Sequence, residues 1–436
     1  MATETKGLHY DASYIEKFSS SRGEPAWFTE MRKQALALAE ELPLPQPEKT
    51  RIIGWNFTEF EHELESKAVD SLNDLPEYIH RLIGKEEQAG NLLLIHNGRL
   101  AYQSLSDDLK SKGVIFTDLE TALREHGDLV KKYYFAKAAK LDANKLTALN
   151  AALVNSGLFL YVPKNVEIEV PLQTVFWQDH PDAGLINHVI VVADDNSSIT
   201  YVENYLSTEH EGSQVANIIT EVYVGDNATV RFGGVDQFTK DVTTYINRRS
   251  YVGANGRLEW ALGQMNDGNT LSETFTSLVG DGGVTDMKAV SIGHGEQRQN
   301  FENRIHHFGR NTESDMLIHG VQLDKAQSIF NAITKIEHGA SKSDGEQTQR
   351  VLMLSEGARG DANPILLIDE NDVIAGHAAS VGRIDPIHLY YLMSRGISRK
   401  DAERLIVHGF LNPVVSQLPI EGVKDQLTEV IEGKVK

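Results

Sequence analysis

The chain has 436 residues, enough for about three domains. Its 42 lysine and arginine residues stand against 62 aspartate and glutamate residues, and the net charge of −20 argues against nucleic acid and anionic membranes as partners. There is no cysteine, which excludes disulfides and thiolate-held metal sites on this chain alone. No apolar run approaches the roughly 18 residues of a spanning helix, and the first residues lack the features of a secretory signal. We therefore expect a cytoplasmic protein.

Residues 1–157 show mainly helical periodicity and are predicted to form an N-terminal helix-rich α/β domain. In EPAWFTEMRKQALALAEELPLP, Pro25 suits a first helical turn and apolar residues recur every three or four positions. In NLLLIHNGRLAYQ, Asn97 and Gly98 predict the turn of a β-hairpin.

Two further helices are predicted within this domain. TDLETALREHG places Thr117 and Glu120 in capping-box spacing, with Gly127 as the stop. DANKLTALNAALVNSG offers Asp142 as the cap and Gly157 as the stop.

Residues 158–385 change to short β-rich runs that begin at small polar corners. Corners at Asn196, Asn227, Asn255 and Gly282 are separated by 31, 28 and 27 residues, and Gly309, Gly339 and Gly357 continue the pattern less evenly. A sandwich of hairpins would also give such spacing, but this length without a long helix favours a solenoid of stacked turns, which is a β-helix.

Residues 386–436 return to the helical period and are predicted to form a C-terminal helical domain. Ser398 and Asp401 have capping-box spacing at the start of SRKDAERLIVHGF. Its predicted apolar side contains Ile397, Leu405, Ile406 and Phe410, and the last helix has a stripe of Val423, Leu427, Val430 and Ile431.

Several common catalytic motifs are absent from the sequence. It contains no phosphate-binding G-x-x-x-x-G-K-[ST] loop, no G-x-S-x-G elbow, no H-E-x-x-H zinc helix and no G-x-G-x-x-G after a strand. We therefore expect no ATP hydrolysis by this chain and assign it no catalytic residue.

The histidines are the remaining candidate ligands. His306 and His307 are adjacent in ENRIHHFGRN, so in a strand they would face opposite sides and could not readily share a metal. His294, His319 and His338 lie near corners, where bonding to turn backbone is the usual role. His377, in DENDVIAGHAASVGRIDP, lies among small residues that cannot shield it, so it is either a metal ligand or a cap for the next helix.

Three long segments carry a resemblance to a known family. They are LNAALVNSGLFLYVPKNVEIEVPLQ (149–173), HGASKSDGEQTQRVLMLSEGARGDANPILLIDENDVIAGHAASVGRID (338–385) and LYYLMSRGISRKDAERLIVHGF (389–410). Together with EPAWFTEMRKQAL, they resemble the SufB/SufD family of iron–sulfur cluster assembly proteins. The resemblance implies a mainly β fold, with a right-handed parallel β-helix core flanked by helical ends.

The same resemblance implies a function and partners. It implies a non-catalytic scaffold subunit that pairs with SufB and binds the ATPase SufC through its C-terminal helices, with Leu405, Ile406 and Phe410 as the expected contacts. A SufB-like chain would be expected to carry a cysteine for sulfur delivery, so the cysteine-free sequence is more similar to the SufD branch.

His377 matches a family histidine that is thought to take part in cluster formation at the SufB interface. Neutral imidazole can ligate iron, so a transient iron or cluster is expected there in the complex, with no tightly bound cofactor in isolation. Relatives often have cysteine and glycine where Ala375 and Ala378 stand, and Ala375 cannot be a ligand. Alone, the chain is expected to form a homodimer.

Two other functions remain open at this stage. A β-helix polysaccharide lyase-like enzyme would need a calcium-binding acidic cluster and a basic residue in a groove, and the absence of a secretory signal counts against it. A purely structural solenoid adaptor would need no metal at all.

Overall fold

The structure, a computed structural model, describes residues 9–69, 71–83, 90–416 and 421–435. The protein is mainly β, with 41% strand and 25% helix, as the sequence predicts. Among the residues described, no helix combines the length and the apolar character needed to cross a membrane. Residues 1–8, where the sequence predicts no secretory signal, lie outside the described residues.

Two sheets form the body of the molecule. The 9-stranded sheet contains, in spatial order, β3 (Ile115–Asp118), β4 (Ser156–Val162), β6 (Gly184–Ala193), β8 (Gln214–Val224), β10 (Val242–Val252), β12 (Thr270–Leu278), β14 (Arg298–His307), β16 (Gln327–Ile336) and β18 (Arg359–Ile368). The 10-stranded sheet contains β2 (Arg99–Ser104), β1 (Leu92–His96), β5 (Leu172–Gln178), β7 (Ser198–Ser207), β9 (Thr229–Gln237), β11 (Arg257–Gln264), β13 (Val284–Gly293), β15 (Glu313–Gln322), β17 (Asp344–Met353) and β19 (Ile374–Arg383).

From β4 onward, successive strands alternate between the two sheets, and neighbours within each sheet are parallel. The result is a β-solenoid of about 8 turns, which confirms the predicted solenoid over a sandwich of hairpins. The antiparallel pairs lie at the start, where β1 pairs with β2 and β3 with β4. The first of these is the predicted hairpin, with Asn97 and Gly98 at positive φ in its turn.

One row of corners is built on residues in the left-handed conformation. Asn196, Asn227 and Asn255 have φ between 51° and 56°, and their side-chain amides form a ladder from one turn to the next. The row continues through Gly282, Asn311 and Lys342, whose backbone N–H groups bond to the following corner. The later corners predicted at Gly309, Gly339 and Gly357 are also turns between strands. Gly309 lies in the same turn as Asn311 and Gly339 in the same turn as Lys342, whereas Gly357 lies between β17 and β18, in the other row of corners.

The helices lie on either side of the solenoid strands in the chain. They are α1 (Ala12–Arg22), α2 (Ala26–Glu41), α3 (Glu77–Ile83), α4 (Asp107–Ser111), α5 (Leu119–Glu125), α6 (Gly127–Tyr133), α7 (Lys145–Leu153), α8 (Pro386–Ser394), α9 (Arg399–Val415) and α10 (Glu421–Lys434), with a short 3₁₀ helix at Leu72–Asp74. The helix order agrees with helical ends around a β core. The domain boundaries at residues 157 and 385 stay predictions.

The helix caps differ from prediction in two places. Asp118 caps α5 by accepting from Thr121 N–H at 2.9 Å, because Thr117 remains paired within β3. Asn144 caps α7 in a capping box with Thr147. The predicted stop at Gly157 lies inside β4, where an added Cβ would be 2.4 Å from the His188 carbonyl oxygen, so glycine there allows two strands to approach.

The C-terminal helices confirm the predicted cap and correct one stripe. Ser398 caps α9 and accepts from Asp401 N–H at 3.1 Å, and the α10 residues Val423, Leu427 and Ile431 are buried as predicted. The buried face of α9 instead contains Ala402, Val407, Leu411, Val414 and Val415. The predicted α9 stripe was displaced because several faces of this helix carry apolar residues, and sequence periodicity could not select the covered one.

The solenoid interior is largely apolar, but it also holds buried polar side chains, among them one charged group. Arg248 Nη2 donates to Asp236 Oδ1 at 2.8 Å and to Glu203 Oε1 at 3.3 Å, and all three side chains are buried. Removal from water raises the pKa of Glu203 to about 7. The group links β7, β9 and β10. Loss of one member would destabilise the protein, because it would leave a buried charge without its partner.

Candidate functional site at the open end of the solenoid

In the described residues, no strand lies beyond the last turn of the solenoid. β18 and β19 are the terminal strands of their sheets, so within the described parts of the chain each is paired along one edge only. Apolar side chains are exposed around this end, including Ile374 at 63% and Val381 at 43%. An unpaired, apolar sheet end is a surface that another chain can extend.

Alternate residues of β19 direct their backbone N–H and C=O groups toward the free edge of the sheet. Ile374 N–H donates to Ser343 of the previous turn at 3.0 Å, so by strand alternation the even-numbered residues bond inward to β17. The N–H and C=O groups of Ala375, His377 and Ala379 therefore point to the free edge. These backbone groups are available to an incoming strand.

His377 lies in the middle of this edge. It pairs in register with Gln347 of β17, whose side chain is buried inside the solenoid, so the imidazole lies on the interior face of β19. It is nevertheless exposed, because no further turn covers the interior there. The alternative role as a helix cap is wrong, since Asp385 caps α8 by accepting from Ile387 N–H at 2.8 Å.

The described part of the chain offers no ready-made metal site around His377. In the residues described, no group of three or more His, Asp or Glu side chains is arranged to hold a metal ion.

The other histidines have structural partners. His306 and His307 face opposite sides, as predicted: His306 contacts Glu337 at 2.7 Å on the outside, while His307 is buried and hydrogen-bonds with Thr312 and Ser314. Burial lowers the pKa of His307 to about 4. His319 bonds to the Phe410 carbonyl oxygen at 2.7 Å.

His294 and His338 also lie beside carboxylates. His294 Nε2 is 2.7 Å from Asp267 Oδ1, and His338 Nδ1 is 3.8 Å from Glu370 Oε2. The contacts of these two residues are thus with side chains instead of the turn backbone that the sequence suggested.

The predicted docking residues separate into two kinds. Leu405 is 49% exposed, whereas Ile406 and Phe410 are half-buried, and the Phe410 ring stacks on His319 at 4.8 Å between centroids. Phe410 therefore packs α9 on the solenoid and offers little surface to a partner.

The sequence analysis missed a more exposed apolar surface on α8. Ile387 is 73% exposed and Tyr390 74%, and Tyr391 and Met393 are also exposed. We call Ile387, Tyr390, Tyr391 and Met393 the α8 surface. The apolar segment PIHLYYLMS was a usable signal in the sequence, because a short helix that is apolar on several sides cannot bury all of them. In the structure Leu389 is its one buried side chain.

A parallel solenoid with helical ends and an open last turn defines a binding scaffold, and comparisons with known proteins identify its family. The model described as "SUF system FeS cluster assembly, SufBD core domain" matches residues 176–410, and that of the "SufBD protein N-terminal region" matches residues 86–174. The chain belongs to the SufBD family of iron–sulfur cluster assembly proteins.

Relatives within the family resemble the chain over most of its length. The iron–sulfur cluster assembly protein SufD of Bacillus subtilis is 57% identical over 431 residues, which are 98% of this chain and 99% of that protein. SufBD family proteins of Staphylococcus aureus USA300 and Staphylococcus haemolyticus are 27% identical over 93% of this chain and 89% of their own. The chain is thus of the SufD type, as its resemblance implied.

Proposed function

We propose that this chain is a non-catalytic SufD-type scaffold subunit of a cytoplasmic iron–sulfur cluster assembly complex, pairing with SufB and binding the ATPase SufC. The observation that carries the proposal is the unpaired β19 edge, which holds one exposed histidine on a chain without cysteine. A scaffold of this kind positions its partner and contributes one imidazole, and its partners supply sulfur and ATP hydrolysis.

The open end supports pairing with SufB. A partner strand along β19 would place its side chains about 4.5–5.5 Å from those of β19, measured between Cβ atoms. A cysteine or carboxylate of SufB could then share an iron with His377. The iron or nascent cluster is cargo here, held between two chains and released, so we expect no stable cluster on the isolated chain.

Replacing His377 tests the proposed ligand. His377→Ala removes an exposed ring, so the fold and the SufB–SufC complex should persist while bound iron and cluster yield fall sharply, because a site with few ligands loses affinity when one is removed. His388→Ala, an exposed histidine on α8, is the control. Normal iron content in the reconstituted His377→Ala complex would contradict the ligand role.

The α8 surface is the proposed SufC contact. Truncation after Asp385 would be a poor test, because α9 and α10 cover apolar residues of the 10-stranded sheet, among them Val235, Val290 and Val321. Point variants of α8 keep that packing intact.

A matched pair of isoleucines gives a sharper test. Ile387→Ser on α8 should weaken SufC binding at least about tenfold, as an exposed apolar contact at an interface centre does. Ile53→Ser is the control, since Ile53 is also exposed, at 59% against 73%, and lies outside the C-terminal helices. Unchanged SufC affinity for Ile387→Ser in a pull-down or calorimetric titration would mean that SufC contacts a different surface of the chain.

Association with partners separates this proposal from the other functions considered. Co-purification with SufB and SufC supports the scaffold, whereas release of unsaturated products from polyuronate with calcium would support a lyase. In the absence of SufB, the same open end should allow a homodimer, which light scattering at several concentrations would detect.

A further inference from the structure

The two edges at the open end differ in their ability to hydrogen-bond. Arg359 N–H donates to Ala326 and Asp369 N–H to Ile336, both at 2.9 Å, so the odd-numbered residues of β18 bond inward to β16. The even-numbered residues then face the free edge, and the central one is Pro364. Proline has no N–H, so the β18 edge lacks a donor at its midpoint.

The proline ring is a second obstacle on the β18 edge. A strand that paired there would present a carbonyl oxygen opposite Pro364, where it would meet the ring Cδ and not a donor. A carbonyl group that is buried without a hydrogen-bond donor is unfavourable. Proline on an exposed strand edge is a known means of preventing further pairing.

β19 has neither obstacle. It contains no proline between Ile374 and Arg383, and its free-edge positions carry the donors of Ala375, His377, Ala379 and Val381. Most of the strand consists of small residues, so a second backbone can approach closely.

We infer that a partner chain adds its strand to β19 alone and that Pro364 is a specificity-determining residue that keeps the β18 edge unpaired. The occupant is the terminal strand of a SufB-type solenoid, so the inference rests on the proposed function. Contact with β18 is then made by side chains such as the exposed Leu367 and Ile368. This arrangement centres the paired strand on His377. It excludes a complex in which both sheets of the solenoid continue into the partner.

Two alanine-to-proline variants test this difference. Ala379 on β19 and Ala362 on β18 occupy equivalent free-edge positions, because neither N–H is used by the inner strand. Ala379→Pro should weaken SufB binding at least about tenfold through the lost hydrogen bond and the steric clash. Ala362→Pro should leave SufB affinity within about twofold, since the neighbouring edge already carries Pro364.

Both variants are first checked for wild-type melting temperature. Equal losses of SufB affinity in the two folded variants, or no loss in Ala379→Pro, would overturn the inference. Failure of the wild-type chain to bind SufB would instead refute the proposed function, so the two failures are distinguishable.

Amide hydrogen exchange on the wild-type chain gives an answer that does not depend on the variants. In the isolated chain, the free-edge amides of both strands should exchange quickly. On adding SufB, the amides of His377 and Ala379 should become protected while those of Ala362 and Leu366 do not. New protection of Ala362 and Leu366 would show that β18 is paired and would overturn the inference.

Discussion

The contact between Gly263 and Leu427 should hold the C-terminal helices on the solenoid. Gly263 lies in β11, and a Cβ added to it would be 2.1 Å from Leu427 Cδ2 and 3.1 Å from its Cγ. Leu427 is completely buried within the apolar cluster between α10 and the 10-stranded sheet. The side chain can therefore make room for an added methyl group only by repacking within this cluster.

Gly263→Ala should destabilise the protein by about 1–2 kcal/mol. Overpacking a core typically costs about 1–3 kcal/mol, offset by up to about 1 kcal/mol from the reduced entropy of the unfolded chain. Leu427→Ala alone should cost about 2–5 kcal/mol by leaving a cavity. In the double variant the new methyl group fills part of that cavity, so the combined cost should fall below the sum by at least about 1 kcal/mol.

Urea unfolding and amide exchange of α10 would measure these effects. Gly409→Ala is the control, because a Cβ there meets nothing within 4 Å, and a helical Gly→Ala change should stabilise by up to about 1 kcal/mol. Additive costs in the double variant would refute the reasoning, since they would mean that the two positions do not compete for the same space.

Three further predictions concern stability. Because the pKa of His307 falls from 6.5 to about 4 on folding, the unfolded chain takes up a proton at a higher pH than the folded chain does. The free energy of unfolding should therefore be at its full value above pH 6.5 and should fall by about 3 kcal/mol between pH 6.5 and pH 4. His307→Gln should flatten that part of the curve of unfolding free energy against pH. Asn227→Ala should cost about 1 kcal/mol and more than Asn227→Gly, since both lose the ladder bonds but glycine keeps the positive φ without strain; equal melting temperatures would contradict this. Arg248→Met should cost about 3–5 kcal/mol by leaving Asp236 and Glu203 buried without their cation, and a loss below about 1 kcal/mol in urea unfolding would mean that these carboxyl groups reach water.

Local structure and the chemical limits of this chain could be predicted from the amino-acid sequence. Alternating residues and left-handed corners such as Asn196 specify short strands, and Ser398 and the stripe of Val423, Leu427 and Ile431 specify helices. These signals are local, because a cap or a period depends on residues within about one or two turns. The absence of cysteine and of a phosphate-binding loop is likewise independent of folding.

The sequence could not predict which surfaces are covered, because that depends on how the folded chain packs. Phe410 and Ile387 are both apolar residues in C-terminal helices, yet Phe410 stacks on His319 of a distant strand while Ile387 has no such partner and is 73% exposed. His377 and Pro364 gain their proposed roles because β19 and β18 are the last strands of their sheets. Burial and edge position depend on contacts between residues far apart in the chain, and a local pattern records the period of an element but not what packs against it.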